Sequence, residues 1–314
     1  MASPNTAFLF PGQGSQAVGM LAPLAETSAE VARTFAVASE VLGYDLWALC
    51  QHGPEERLNR TEVTQPAMLA AGIATWRAWK ERGGRAPMLF AGHSLGEYSA
   101  LVAAECMQFA DAVRMVAVRG RLMQAAVPEG AGAMAAVLGL DDEVLVKVCA
   151  EAAQGEVVSC ANFNAPGQVV IAGQRAAVDR AGALAREAGA HRVVMLPVSV
   201  PSHCALMRPA ADALRAELQS IPLNAPRTPV VQNADVRAFS DPESIIDALV
   251  RQLWQPVRWT ETISYMVGQR VGHFIECGPG KVLAGLNRRI SRDSGVTALL
   301  DLASFELAQE RGAA

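Results

Sequence analysis

Residues 92–96 read Gly-His-Ser-Leu-Gly, a G-x-S-x-G pentapeptide. The apolar run Pro87-Met88-Leu89-Phe90-Ala91 leads into it, and Glu97-Tyr98-Ser99-Ala100-Leu101-Val102-Ala103-Ala104 leads away. That is a strand, a tight turn and a helix, with a serine at the turn. Glycines at 92 and 96 let strand and helix approach closely, and the serine hydroxyl is held out at a helix N-terminus. Free backbone N–H groups there can stabilise an oxyanion. Ser94 is therefore the candidate nucleophile. The competing reading, a structural turn serine, does not use the strand and helix that flank it.

A serine nucleophile needs a base. The chain has five histidines, at 52, 93, 191, 203 and 273. His52 lies in a polar turn, and His191 starts a strand. His93 sits inside the turn, where its side chain diverges from that of Ser94. His273 opens a strand and so lies at the far end of a sheet from the serine. His203 follows a strand and a proline turn, in a loop that enters a helix, the kind of segment where catalytic groups gather. His203 is best placed, with His93 and His273 as alternatives. An α/β-hydrolase triad would put its histidine near the C-terminus, after a loop acid. Here the histidine is mid-chain with no evident acid before it, so a Ser–His dyad oriented by a backbone carbonyl or an amide fits better. Arg119, in Ala117-Val118-Arg119-Gly120-Arg121, is flanked by apolar residues. A solvated helix face is one reading. The other is a buried guanidinium that needs an anion, which a substrate carboxylate could supply through a bidentate fork.

These residues must be positioned by a larger frame. The strand Ala7–Phe10 breaks into Pro11-Gly12-Gln13-Gly14-Ser15-Gln16, a polar loop at a strand's C-terminal edge, where α/β folds bind ligands. Neither nucleotide pattern, G-x-x-x-x-G-K-[ST] or G-x-G-x-x-G, is present. Helical periodicity fills 28–83, with breaks at Gly43 and Gly53-Pro54 and a long helix starting at Thr64-Gln65-Pro66. Another helix covers 108–126. Strand 133–138, helix 141–153, strand 157–161, a hairpin turn at 164–167, strand 168–172, helix 175–188 and strand 192–196 then follow. That β-α-β-β-α-β order is a ferredoxin-like unit. It occupies 129–198 and interrupts an α/β body of 1–128 and 199–314. The body resumes with a helix to about 219, a strand at 229–232, helices at 241–252 and 259–269, the strand Gly272–Cys277 and a helix from Lys281 to Ile290. The last ten residues read as frayed.

The chain has 314 residues, 51% hydrophobic and 18% charged, with a net charge of −4. That composition supports a large core and gives no basic footprint for nucleic acid. No stretch reaches the ~18 continuous apolar residues of a membrane span, and the start lacks a signal-peptide pattern. Six scattered cysteines without a C-x-x-C pair read as reduced cytoplasmic thiols, not a zinc site.

Five segments occur in order: Phe10-Pro11-Gly12-Gln13-Gly14-Ser15-Gln16, Gly92–Tyr98, Val116–Gly120, Val200-Pro201-Ser202-His203 and Glu276–Lys281. Together they resemble bacterial malonyl-CoA:acyl carrier protein transacylases and, less closely, the acyltransferase domains of polyketide synthases. The resemblance covers nearly the whole chain. It implies an α/β fold with an α/β-hydrolase-like core, a parallel sheet and an inserted ferredoxin-like subdomain. It implies that Ser94 accepts a malonyl group from malonyl-CoA, that His203 is the base, and that Arg119 holds the malonyl carboxylate. It further implies an oxyanion hole from the Gln13 and Leu95 amides, with Gln252 beside the histidine. Holo acyl carrier protein would be the acceptor, with no metal or other cofactor, and the enzyme would be a cytoplasmic monomer. The alternatives are a serine hydrolase of small esters or thioesters and a non-catalytic scaffold that binds the carrier.

Overall fold

The computed structural model describes residues 5–198 and 200–313. Among the described residues, ten strands form two sheets. They are β1 Thr6–Phe10, β2 Leu89–Gly92, β3 Gly132–Leu138, β4 Val158–Ala165, β5 Gln168–Gln174, β6 Arg192–Met195, β7 Val230–Gln232, β8 Arg237–Ala238, β9 His273–Glu276 and β10 Gly295–Ala298. The larger sheet runs β10-β9-β1-β2-β7-β8. Its first five strands pair in parallel, and β8 turns back antiparallel on β7. The smaller sheet runs β4-β5-β3-β6 and is wholly antiparallel. With the helices Asp142–Ala153 and Arg175–Glu187 between its strands, it has the ferredoxin-like order. The α/β core and the smaller antiparallel unit expected from the residue pattern are both present.

Strand β1 is buried along its whole length, as a central parallel strand covered on both faces must be. Phe8 packs edge-on against Trp76, Trp79 and Phe90, which ties β1 and β2 to the helix Thr61–Glu81. That helix is almost entirely buried, which explains its weak polar–apolar alternation. It begins at Thr61, not at Thr64-Gln65-Pro66. Pro66 falls inside it, where its ring nitrogen cannot donate to the Glu62 carbonyl. The Thr64 hydroxyl donates instead to the carbonyls of Leu58 and Arg60.

Three further differences from expectation have local causes. The hairpin turn is tighter than 164–167, because β4 runs on through Ala165 with register shifts on either side of Asn162 and Phe163. The edge strands β8 and β10 have two and four residues, too few to set a periodicity. The C-terminal segment is not frayed where it matters. Leu302–Ala313 is a helix whose Phe305 is fully buried, packs near Trp79 and lies under the Arg82 guanidinium.

Candidate active site

The strand–turn–helix around Ser94 depends on two close approaches. A Cβ on Gly92 would lie 1.9 Å from the Gly96 backbone, and one on Gly96 would lie 2.0 Å from the Phe10 carbonyl oxygen. Only glycine fits at either place. Strand β2 can then turn sharply into the helix Gly96–Ala103 while that helix rests on β1. Ser94 itself has φ 51°, in the left-handed region, which costs a non-glycine residue about 1–3 kcal/mol. Three groups hold it there. Its N–H donates to Asn233 Oδ1 at 2.7 Å, and its carbonyl accepts from Gln252 Nε2 at 2.9 Å and from the Glu97 N–H at 3.0 Å. The Ser94 carbonyl and the Leu95 N–H share one trans peptide, so they point in opposite directions. Fixing the carbonyl on Gln252 therefore fixes the direction of the Leu95 amide. Gln13 and Leu95 both line the cavity in front of Ser94, and their backbone N–H groups have no acceptor among the described residues.

His203 is the histidine brought to the serine. The Ser94 hydroxyl lies 2.7 Å from His203 Nε2, and His203 Nδ1 lies 2.7 Å from the Gln252 carbonyl oxygen. A carbonyl only accepts, so Nδ1 carries the proton and Nε2 is left free to receive one from Ser94. This is the dyad with a backbone carbonyl in the orienting role. Burial, followed by the nearby Arg119 charge, pulls the imidazole pKa from its ordinary 6.5 down to about 3. The ring stays neutral and able to act as a base across the physiological range. The other histidines lie elsewhere. His93 turns away to Asn164 Oδ1 at 2.8 Å and packs near Trp259. His273 starts β9 and meets Thr297 Oγ1 at 3.2 Å. His52 and His191 are exposed.

Arg119 is 1% exposed and comes from the helix Phe109–Ala126. Its neighbour Gly120 allows the approach, since a Cβ there would lie 2.7 Å from Glu62 Cα on the long helix. The guanidinium donates to Gln65 Oε1 at 2.8 Å, to Gln252 Oε1 at 3.0 Å and to Ser94 Oγ at 3.4 Å. Its Nε has no acceptor among the described residues, and Tyr98 lies beneath the guanidinium at 5.6 Å. Among the described residues no carboxylate forms a salt bridge with it. The hydrogen bonds of Arg119 all go to neutral groups, and the buried Glu97 acts on it only through charge, so the guanidinium beside the serine hydroxyl is able to receive an anion. The cavity in front of these groups measures about 300 Å³ and is lined by loops and helices beside the larger sheet, such as Gly12, His93 and Leu283, and by residues of the smaller sheet, including Met134, Asn162 and Val170. Among the described residues no cluster of His, Cys, Asp and Glu is arranged to hold a metal.

Gln252 joins the site, using its own carbonyl for His203 and its side chain for both Ser94 and Arg119. Sequence reasoning did not single out Asn233, Glu97 or Gln65. A usable signal existed for Asn233, a polar residue directly after the C-terminal end of parallel strand β7, where such folds build sites.

A serine on a strand–turn–helix, a histidine 2.7 Å from its hydroxyl and a buried guanidinium without a salt bridge among the described residues form an arrangement able to support acyl transfer. Residues 7–299 match the acyl transferase domain family, and the chain belongs to that family. It is 59% identical over 304 residues to the malonyl CoA-acyl carrier protein transacylase of Escherichia coli K12, covering 97% of this chain and 98% of that one. The Bacillus subtilis protein of the same name is 44% identical over 303 residues, covering 96% and 95%. An acyl carrier protein S-malonyltransferase from Vibrio cholerae superposes with a TM-score of 0.95 at 60% identity, covering 97% of this chain and 99% of that one. A malonyl-transacylase solved in complex with its type II PKS acyl-carrier protein superposes at 0.97 with 57% identity, covering 98% and 99%.

Proposed function

We propose that the chain transfers the malonyl group of malonyl-CoA to the phosphopantetheine thiol of an acyl carrier protein through a malonyl ester on Ser94. The carrying observation is a buried guanidinium that makes no salt bridge among the described residues, 3.4 Å from a serine hydroxyl that is itself 2.7 Å from a histidine nitrogen. His203 Nε2 takes the Ser94 proton as Oγ attacks the thioester carbonyl. The oxyanion forms against the Gln13 and Leu95 amides, each worth about 3 kcal/mol in such a site. His203 then protonates the departing coenzyme A sulfur. The carrier thiol enters, gives its proton to His203 and reverses the sequence. A thioester carbonyl is already activated, so this route asks for no metal. The segment 129–198 serves in this reading as an inserted subdomain that walls the cavity opposite Ser94, and the enzyme works as a monomer in the cytoplasm. Among the described residues no helix is long and apolar enough to cross a membrane.

Arg119 selects the acyl group. Bringing the malonyl carboxylate into the cavity unpaired costs several kcal/mol. A bidentate guanidinium offsets this with two charge-assisted hydrogen bonds, each worth about 1.5–3 kcal/mol. Acetyl-CoA brings no carboxylate and leaves the guanidinium unpaired. Arg119→Ala should lower kcat/KM for malonyl-CoA by at least ~10²-fold, the equivalent of about 3 kcal/mol, while acetyl transfer holds or rises. Lysine at 119 should rescue only in part, because an ammonium cannot form the planar fork. Both thioesters are assayed in each variant. A parallel loss of both activities would show that Arg119 supports the fold and does not read the substrate.

The carrier's acidic helix surface docks beside the mouth, on the helix Val282–Ile290 and its flanks. Val282, Leu283 and Leu286 line the cavity from this helix, and Lys281, Arg288, Arg289 and Arg292 are exposed around it. Arg289 also donates to Gln168 Oε1 and the Pro166 carbonyl, so part of its capacity is already engaged. Charge reversal at Arg288 and Arg289 should raise the carrier KM at low salt and leave the malonyl-CoA KM unchanged. An unaltered carrier KM would move the docking surface elsewhere.

A further inference from the structure

We infer that Asn233 and Glu97 are positioning residues for the nucleophile, acting as a two-residue clamp behind the turn that carries Ser94. The inference rests on Ser94 being the acylated residue. Strands β2 and β7 pair in parallel at Phe90–Val230 and Ala91–Val231, and the ladder ends there. The Asn233 side chain continues the connection in place of backbone. Its Nδ2 donates to the Gly92 carbonyl at 2.7 Å, and its Oδ1 accepts from the Ser94 N–H at 2.7 Å. One amide group thus grips the chain on both sides of His93. Asn233 is held in turn by Glu97, whose Oε2 accepts the Asn233 N–H at 2.8 Å. Both residues are 0% exposed, and neither lines the cavity or touches Ser94 Oγ, His203 or Arg119 through a hydrogen bond.

The consequence concerns the two N–H groups in the turn. Asn233 occupies the Ser94 N–H, so the Leu95 N–H is left as the free donor facing the cavity. The φ of 51° at Ser94 keeps Oγ within 2.7 Å of His203 Nε2, and the clamp opposes its relaxation. Loosening the clamp should misplace the hydroxyl relative to both His203 and the oxyanion donors, while Asn233→Ser leaves the charges near Arg119 unchanged. A misplacement of about 1 Å in such a site is worth on the order of 10²-fold in rate.

The test measures single-turnover acylation of Ser94 by malonyl-CoA in Asn233→Ser, Glu97→Leu and Glu97→Gln, per folded molecule. Asn233→Ser is too short to reach both the Gly92 carbonyl and the Ser94 N–H. Its acylation rate should fall about 10–100-fold, with KM for malonyl-CoA within about threefold of wild type. Glu97→Leu removes the acceptor for the Asn233 N–H and should fall in the same way. Glu97→Gln keeps that acceptor. The second carboxylate oxygen has no hydrogen-bond partner among the described residues, so an amide there should restore the rate to within about threefold of wild type. If Asn233→Ser does not accumulate folded, the Leu and Gln pair carries the test with Asn233 intact. Wild-type acylation rates in Glu97→Leu, or equal losses in the Leu and Gln variants, would overturn the inference. Wild-type label on a residue other than Ser94 would overturn the reading of the site itself.

Discussion

Ser94→Ala should carry no malonyl label and should lose malonyl transfer by on the order of 10⁶-fold, the scale seen when a serine nucleophile is deleted from an otherwise intact site. The fold should not change. The bonds that secure residue 94 run from its N–H to Asn233 and from its carbonyl to Gln252 and the Glu97 amide. Alanine keeps all three and loses only the hydroxyl. Stability should fall by no more than about 1–3 kcal/mol, because the hydroxyl's buried partners His203 Nε2 and Arg119 each lose one hydrogen bond. Intact-mass measurement after brief exposure to malonyl-CoA, beside a thermal melt, reads both. A labelled Ser94→Ala enzyme would mean that another nucleophile carries the reaction.

His203→Ala should lower both acylation and discharge by roughly 10²–10⁴-fold, the contribution of a positioned acid–base group. Both half-reactions fall because the same nitrogen takes the proton of Ser94 in one and of the carrier thiol in the other. Removing the ring also strips the Gln252 carbonyl of its Nδ1–H donor, so a modest loss of stability, about 1–3 kcal/mol, should accompany the kinetic loss. His93→Ala is the control, since His93 faces Asn164. Normal activity in His203→Ala with equal damage in His93→Ala would reverse the assignment. The pH profile gives a separate check. The folded imidazole titrates at about 3, far below the ordinary 6.5 of the unfolded chain. As pH falls through 6.5 the unfolded chain takes up a proton that the folded one does not, so the His203 contribution to stability declines while the base stays neutral. Activity per folded molecule should therefore show no histidine limb near pH 6.5. Loss on the acid side should follow unfolding, measured by circular dichroism on the same samples.

The parts of the site that could be read from sequence are those encoded locally. The turn around Ser94 is specified by five adjacent residues, because Gly92 makes room for Gly96 close by in the chain, while the second demand on Gly96, its approach to Phe10 of β1, lies outside the motif. The smaller sheet was legible because its strands and helices alternate within about 65 residues and carry clear periods. Arg119 was ambiguous because nothing in its helix distinguishes a buried guanidinium from a solvated one. Its partners Gln65 and Gln252 lie 54 and 133 positions away. Asn233 and Glu97 went unread for the same reason, being 136 positions apart. The start of the long helix was misplaced because proline favours a first turn, whereas here packing of Glu62 on Gly120 carries the helix back to Thr61. Phe305 alone could not announce that the C-terminal helix docks, since its pocket is built from Trp79 and Arg82.

The central claim is that a malonyl group rests on Ser94 and leaves on a carrier thiol. Wild-type protein is mixed briefly with malonyl-CoA, freed of it, and divided between buffer and holo acyl carrier protein, with peptide mass spectrometry on each portion. The account predicts one malonyl group on the peptide containing Ser94, persisting in buffer and passing to the carrier when it is added. An ester lost to water as fast as to the carrier, or a label on any other residue, would contradict it.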